Sequence, residues 1–453
     1  MADAQDAQPT GPEAETSGLS PRNAKVLCWV IIAAFFATAI AVQFIVRLDW
    51  GPDEPDHLEY IHALSEGRMP TREQTHQVQH GPIYYALMAG LWRAVGVEQA
   101  PMTIPRDIHG LDAMTETAKL GRRVVRGGTA LLGCVVLMLL MRIMAVLETP
   151  WSWRPWLLVL AAGNPVMQYL GGVVNNDMAS ILYATIICLF IVRRLKEDRC
   201  SAGQAAVLGL LVGGTLLIKR PGLFVAPVAL WVLWSIGGRS ERLRRFGAFA
   251  LGAVATGIWW PLRTAQMTGG FLGSSTIPEN QPSLEMLMWN LDMVASWAIA
   301  LLETALLPAW YWELILRLPV QIIGAVILAV IVGVAVWGLV VRRDRFHYRL
   351  RALSVVAMAA LFLGIMHYCI HADWRAHMHG RYLVNAVPWL ICLFAGMRPI
   401  VAALHERFHG AGWWRSLREM GGPLFGLAAV VFSSAWWYLA AEFYANIEDR
   451  FLR

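Results

Sequence analysis

Runs of about twenty apolar residues recur along nearly the whole chain, broken by polar segments, and that length matches the hydrocarbon thickness of a bilayer. The pattern predicts about eleven spans, at 25–46, 122–147, 155–173, 178–193, 203–219, 222–237, 246–262, 318–341, 351–370, 382–398 and 421–441. The fold class expected is therefore an all-α polytopic membrane protein, its transmembrane domain covering 25–441. Residues 1–24 are rich in Ala, Asp, Glu, Gln, Pro, Thr and Ser without apolar periodicity, which predicts a disordered cytoplasmic tail. The first apolar run has no small-residue cleavage site and reads as a retained helix. Two segments between spans are long, 47–121 and 263–317. In the first, Leu58, Ile61, Ala63 and Leu64 share one face of a short interfacial helix starting near Asp56, and Pro82 starts a second. The other is half apolar and carries Trp289, Trp297, Trp310, Tyr311 and Trp312, a density that suggests helices lying in the interface.

Charge orients this pattern. Only 15% of the residues are charged, against 57% hydrophobic, and the net charge is +6. The excess sits in Arg193-Arg194-Leu195-Lys196, Arg242-Leu243-Arg244-Arg245, Arg342-Arg343-Asp344-Arg345 and the stretch from Arg398 to Arg418. All four fall on one side of the alternation, which should face the cytoplasm together with Arg22 and Lys25. The basic balance is thus explained by orientation and gives no reason to expect nucleic acid. Residues 47–121, 263–317 and a tail at 442–453 fall on the outer, periplasm-like side. No GxxxxGK[ST] run is present, so no ATP motor is expected. The six cysteines show no CxxC spacing and read as small core residues, with no disulfide framework expected.

The candidate chemistry lies on the outer side. Gly51-Pro52-Asp53-Glu54-Pro55-Asp56-His57-Leu58-Glu59-Tyr60 follows the first span, with four carboxylates in seven residues and prolines that stop the helix from continuing. Asp53 and Glu54 suit general base work or a divalent cation such as Mg2+ or Mn2+; the alternative is a solvated acidic loop. Downstream, His80-Gly81-Pro82-Ile83-Tyr84-Tyr85 offers tyrosines that either stack on a sugar or anchor in the head-group layer. Asn175-Asn176-Asp177 ends the third span, where Asp177 either caps the next helix or serves a site. Lys219-Arg220, Arg263 and Arg381-Tyr382 place positive charge at the outer bilayer edge, against the orientation bias. They either snorkel to head groups or grip a phosphate. His371, His377 and His379 lack HExxH spacing and read as polar interface residues.

Taken in order, Asp53-Glu54-Pro55, Gly81-Pro82-Ile83-Tyr84-Tyr85, Asn175-Asn176-Asp177, Ile218-Lys219, Trp259-Trp260 with Arg263, and Gly380-Arg381-Tyr382-Leu383 resemble the GT-C superfamily of membrane glycosyltransferases. The nearest type is the protein O-mannosyltransferase and aminoarabinose transferase group of polyprenyl-phosphate-sugar enzymes. The resemblance extends from about residue 25 to about 400 through short, scattered motifs. It implies two interfacial helices beside a catalytic cavity, inverting transfer of a sugar from a polyprenyl-phosphate donor, and Asp53 as the base. Glu54 would assist Asp53. His57, Tyr60, His80, Tyr84, Tyr85, Asn176, Asp177, Lys219, Arg220, Arg263, Arg381 and Tyr382 would bind substrate, with a lipid, glycan or protein as acceptor. Gly81 stands where that family commonly has a second proline, which predicts a looser helix start. The rival reading is a non-catalytic transporter or flippase of a polyprenyl-linked sugar, with an inactive scaffold as a third.

Overall fold

The computed structural model describes residues 19–96 (without 50 and 52), 115–268, 344–371 and 380–408, with isolated positions at 333, 336, 337, 339, 340 and 433. All regular structure among the described residues is helical. The expected spans 318–341 and 421–441, most of segment 263–317, the tails 1–18 and 442–453, Pro52, and the side chains of His371, His377 and His379 lie outside them.

The chain enters as α1 (Pro21–Ile45), whose N-cap is Ser20: its hydroxyl accepts from the Asn23 amide. Two short helices follow in the first long segment, α2 (Glu54–Ser65) and α3 (Ile83–Ala94). Leu58, Ile61 and Ala63 are buried and Leu64 is partly buried, but Ala63 lies opposite Ile61 and Tyr60 is buried as well, so α2 is enclosed on more than the one face that the spacing predicted. The next helix, α4 (Glu116–Val146), begins several residues before the predicted span, so Arg122 and Arg126 sit on a continuous helix beside the loop. The run at 155–173 is not one helix. It breaks into α5 (Arg154–Ala162) and α6 (Pro165–Gly172) at Asn164-Pro165, because proline cannot continue the ladder and Asn164 caps the second piece through the Met167 amide (3.1 Å).

After α7 (Asp177–Glu197) come α8 (Ala202–Gly214), α9 (Val225–Ser235), α10 (Arg242–Gly257) and α11 (Trp259–Thr268), then α12 (Arg345–His371), α13 (Val387–Gly396) and α14 (Arg398–Phe408). Among the described residues five segments are long and apolar enough to cross a bilayer: Pro21–Ile45, Glu116–Val146, Asp177–Glu197, Arg345–Met366 and Arg381–Leu404. The shorter α8 and α9 extend through 3-10 turns on either side of Lys219.

One end of the bundle gathers the basic loops. Lys196 pairs with Glu148 at 2.6 Å, Arg398 donates to the Glu148 carbonyl at 2.7 Å, and Arg349 pairs with Asp198. The opposite end gathers the candidate residues. Helices α8 and α10 touch backbone to backbone. A Cβ at Gly209 would lie 2.0 Å from the Phe249 carbonyl oxygen, one at Gly213 2.2 Å from that of Ala253, and one at Gly252 2.3 Å from that of Ala206. Without a hydrophobic drive between helices in lipid, small residues of this kind permit the close van der Waals contact that holds such pairs. Gly213→Val is expected to cost about 1–3 kcal/mol through overpacking, read as a lower unfolding temperature in detergent. An unchanged melt would mean the two helices stand farther apart.

Candidate functional site

The site is built outward from Glu54. This carboxylate is 1% exposed and accepts four hydrogen bonds. Arg126 donates Nε to Oε1 (2.7 Å) and Nη2 to Oε2 (2.6 Å), and the amides of Val174 and Gly51 donate at 2.9 Å each. Burial alone would raise the Glu54 carboxyl, but the Arg126 charge and these four donors outweigh it and hold it below the ordinary carboxylate range. Arg126 also donates to the carbonyls of Gln43 (3.2 Å), Val46 (2.7 Å) and Arg47 (2.7 Å), satisfying the orphan end of α1. Nearby, Asp49 pairs with Arg122 at 2.8 Å.

Asp53, one residue earlier, is held differently. Its backbone is left-handed (φ 56°, ψ 17°) at the N-terminus of α2, and its side chain caps nothing there. Such a conformation costs a non-glycine residue on the order of 1–3 kcal/mol and persists where the surroundings impose it. The Asp53 carboxylate is half-exposed and stands 3.7 Å from Nη2 of Arg381. Arg381 Nε in turn lies 3.6 Å from Oδ2 of Asp177, whose Oδ1 takes a short contact from the Lys219 ammonium. Two carboxylates and two cations thus alternate from Asp53 to Lys219. Tyr382 lies beneath both cations, its ring centre 5.1 Å from Lys219 Nζ and 5.5 Å from the Arg381 guanidinium carbon. The Arg381 segment is tied to α7, with the Ser180 hydroxyl 3.3 Å from Asn385 and Asn385 donating to the Tyr382 carbonyl at 3.0 Å.

Several alternatives open in the sequence are thereby closed. Capping of α7 falls to Asn175, whose Oδ1 accepts from the amides of Asp177 (2.9 Å) and Met178 (3.4 Å); the Asp177 side chain points to the cations. Lys219 is buried and does not snorkel. Burial lowers its ammonium below the ordinary lysine value, with Asp177 opposing. Tyr84 and Tyr85 are fully buried and anchor in no head-group layer. Tyr84 bonds Thr129 on α4 at 3.0 Å, whereas Tyr85 stacks on Tyr60 with ring centres 3.9 Å apart and meets His57 Nδ1 at 2.9 Å. The Asn176 amide nitrogen donates to the same hydroxyl (3.2 Å), so Tyr85 joins His57 to Asn176. The start of α3 is tight, not loose. A Cβ at Gly81 would fall 1.9 Å from the Leu217 carbonyl carbon, so only glycine fits between the first long segment and the Lys219 turn.

Arg220 and Arg263 join this end through a residue the sequence did not single out, Gln79. Arg220 donates to its side-chain oxygen (3.0 Å) and Trp260 to its carbonyl (3.1 Å), and Arg263 lies 4.8 Å over Trp260. Tyr60 donates to the neighbouring His80 carbonyl at 3.2 Å. Arg126 was also missed, although a charge inside an expected span (122–147) is costly enough to be a signal in itself. Several buried polar atoms here have no hydrogen-bond partner among the described residues: His80 Nδ1, Asn176 Oδ1, Asp177 Oδ2, Arg263 Nη1 and Arg381 Nε. Unsatisfied groups at this density suit a polar ligand. A divalent cation fits poorly. Glu54 has its lone pairs committed, and among the described residues no three His, Cys, Asp or Glu side chains converge.

No protein-family model matches the chain, and no curated relative matches it. Among solved structures, it is similar to the crystal structure of ArnT from Cupriavidus metallidurans bound to undecaprenyl phosphate, with a TM-score of 0.47 and 13% identity. The match covers 91% of this chain and 75% of that one.

Two outcomes follow. Arg126→Ala leaves Glu54 buried and unpaired, which is expected to cost about 3–5 kcal/mol and much of the folded yield; a melt like the wild type would move the keystone elsewhere. His57, pulled down to about 4 mainly by burial, stays neutral when folded, whereas in the unfolded chain it takes a proton near 6.5. Stability therefore rises with pH across that interval and is lost on acidification through it. The melting temperature should fall between pH 6.5 and 4, with a shallower slope in His57→Gln.

Proposed function

We propose that this chain is an inverting glycosyltransferase that moves a sugar from a polyprenyl-phosphate donor to a hydroxyl of a lipid, glycan or protein acceptor. It would work at the outer face of a bacterial inner membrane. The observation that carries the reading is the asymmetry between adjacent carboxylates. Glu54 is saturated and buried, while Asp53 has a left-handed backbone, is half-exposed and faces the Arg381 guanidinium at 3.7 Å. A base must be accessible to the proton it takes. Asp53 accepts the acceptor's hydroxyl proton as that oxygen attacks the anomeric carbon, and the bond from that carbon to the donor phosphate oxygen breaks with inversion. Glu54 acts as a positioning residue, fixing the turn that aims Asp53.

The leaving group is a lipid phosphate on which charge grows as the bond breaks, so cations placed there favour the transition state over the bound substrate. Lys219 and Arg381 stand beside Asp177 and Asp53, and Arg220 and Arg263 add two further guanidinium groups to the same end of the bundle. His57, Tyr60 and Tyr85 stack into a buried aromatic layer, tied to Asn176, that backs the charged residues of this end. The membrane is the second partner, since a polyprenyl chain is held by lipid.

The test uses purified protein in lipid vesicles, with radiolabelled polyprenyl-phosphate sugars and an extract of membrane lipids and glycans as acceptor. Wild type should transfer label and Asp53→Asn should lose about a hundredfold or more in rate, with donor binding retained. Equal transfer by both would move the base elsewhere. Saturable donor binding without any transfer, accompanied by movement of label across the bilayer, would replace the enzyme with a transporter.

A further inference from the structure

At the end of the bundle opposite Asp53, a cavity of about 510 Å³ opens between the start of α8 and the turn that leads into α10. It uses none of the residues of the candidate site, and its charge is mainly basic. Arg199, Arg244 and Arg245 line it together with the carboxylate of Glu241, and Arg199 is also paired with Glu197 at 3.6 Å. Its floor is the first turn of α8. Ser201 and Gln204 close a reciprocal cap, the hydroxyl accepting from the Gln204 amide (3.2 Å) and the Gln204 side chain from the Ser201 amide (2.9 Å). The amides of Ala202 and Gly203 have no partner among the described residues and point along the positive end of the helix dipole.

The helix end alone would say little, since every helix has one. The second observation is Arg245. Its side chain is 1% exposed, and two of its nitrogens are locked, Nη1 on the Ile236 carbonyl (2.6 Å) and Nη2 on that of Gly238 (3.0 Å). Its Nε lacks any hydrogen-bond partner among the described residues while the residue lines the cavity. Gly237, left-handed at φ 66°, leaves the room in which this guanidinium lies: a Cβ there would stand 2.8 Å from Nη1. Gly203 has open space where its side chain would be, with only the Ser201 hydroxyl oxygen near, at 3.9 Å. A buried cation fixed in place, a half-satisfied donor set, two free amides and an open floor together describe an anion site.

We propose that this cavity binds a phosphate group, as a monoester or diester, on the face carrying the basic loops. Exposed Leu243 and Leu251 on α10, with Trp234 under the Arg242 guanidinium at 4.4 Å, put the site beside the lipid-facing surface. An anionic phospholipid head group and a free phosphate compound offer the same chemistry here. The inference stands apart from the transferase reading, because it uses none of that site's residues.

The experiment takes the full chain in two arms. In the first, delipidated protein in a neutral detergent is titrated with inorganic phosphate, followed by thermal shift. In the second, protein in nanodiscs of phosphatidylcholine with or without phosphatidylglycerol is followed by thermal shift and by native mass spectrometry of retained lipid. Gly203→Asp is the decisive variant. A carboxylate in the first helical turn favours α8 itself, so weaker binding cannot be laid to a lost helix, and it should weaken phosphate or lipid at least tenfold. Arg244→Glu should act in the same direction. Stabilisation by inorganic phosphate that the variants abolish would support a soluble ligand. Retention of phosphatidylglycerol alone, again lost in the variants, would support a head group. No binding in either arm, or binding that both variants leave unchanged, would overturn the proposal.

Discussion

The ion pair between Glu54 and Arg126 is the constraint on which the outer end of this protein depends. Taking both charges out of water is expensive, and the pair is tolerable only because every donor and acceptor around it is used. Arg126 takes up the loose carbonyls at the end of α1, while Glu54 accepts amides from the turn before α2 and from the chain before α7. One buried contact therefore joins three stretches that are far apart in sequence: the end of α1 with the turn before α2, α4, and the chain before α7. The left-handed turn at Asp53 follows from it, since the short stretch between Gly51 and Glu54 has little freedom once both ends are pinned.

Around this keystone the polar groups fall into two tiers. Close to α4 the charged groups are paired, Glu54 on Arg126 and Asp49 on Arg122, and Tyr84 bonds Thr129. Toward Lys219 and Arg381 the charges alternate at longer distances, and buried atoms on Asn176, Asp177 and Arg381 lack hydrogen bonds. The first tier resembles a finished core. The second has the character of a surface waiting for a charged, hydroxylated guest, because unsatisfied polar atoms are otherwise too costly to leave buried.

The sequence made the architecture legible wherever composition alone decides it. Apolar runs announced the long helices, and the spacing of Leu58, Ile61 and Ala63 announced α2. It failed where one residue overrides a hydrophobic average: Pro165 breaks an apolar run that hydropathy reads as continuous. Each motif of the site was visible as a short string, yet what each residue does was not, because that depends on partners dozens of residues away. For Asp177 a cap and a site role stayed equally open because its own neighbourhood contains no cation; Lys219 arrives from 42 positions downstream. Tyr84 and Tyr85 looked like interfacial anchors for the same reason. Arg126 could have been noticed, since a charge within a predicted span needs an explanation, but its partner could not have been named.

The contact between Gly81 and the Leu217 backbone has a bearing on descent. Two stretches that each carry site residues, one before α3 and one between α8 and α9, approach so closely that no side chain fits between them. A related chain with any larger residue at this place must hold the two stretches farther apart, and its lysine turn must then reach its acid along a different path. Such chains would share the order of their motifs while differing in the distances between them, so divergence in this lineage would be recorded in spacing before it is recorded in chemistry.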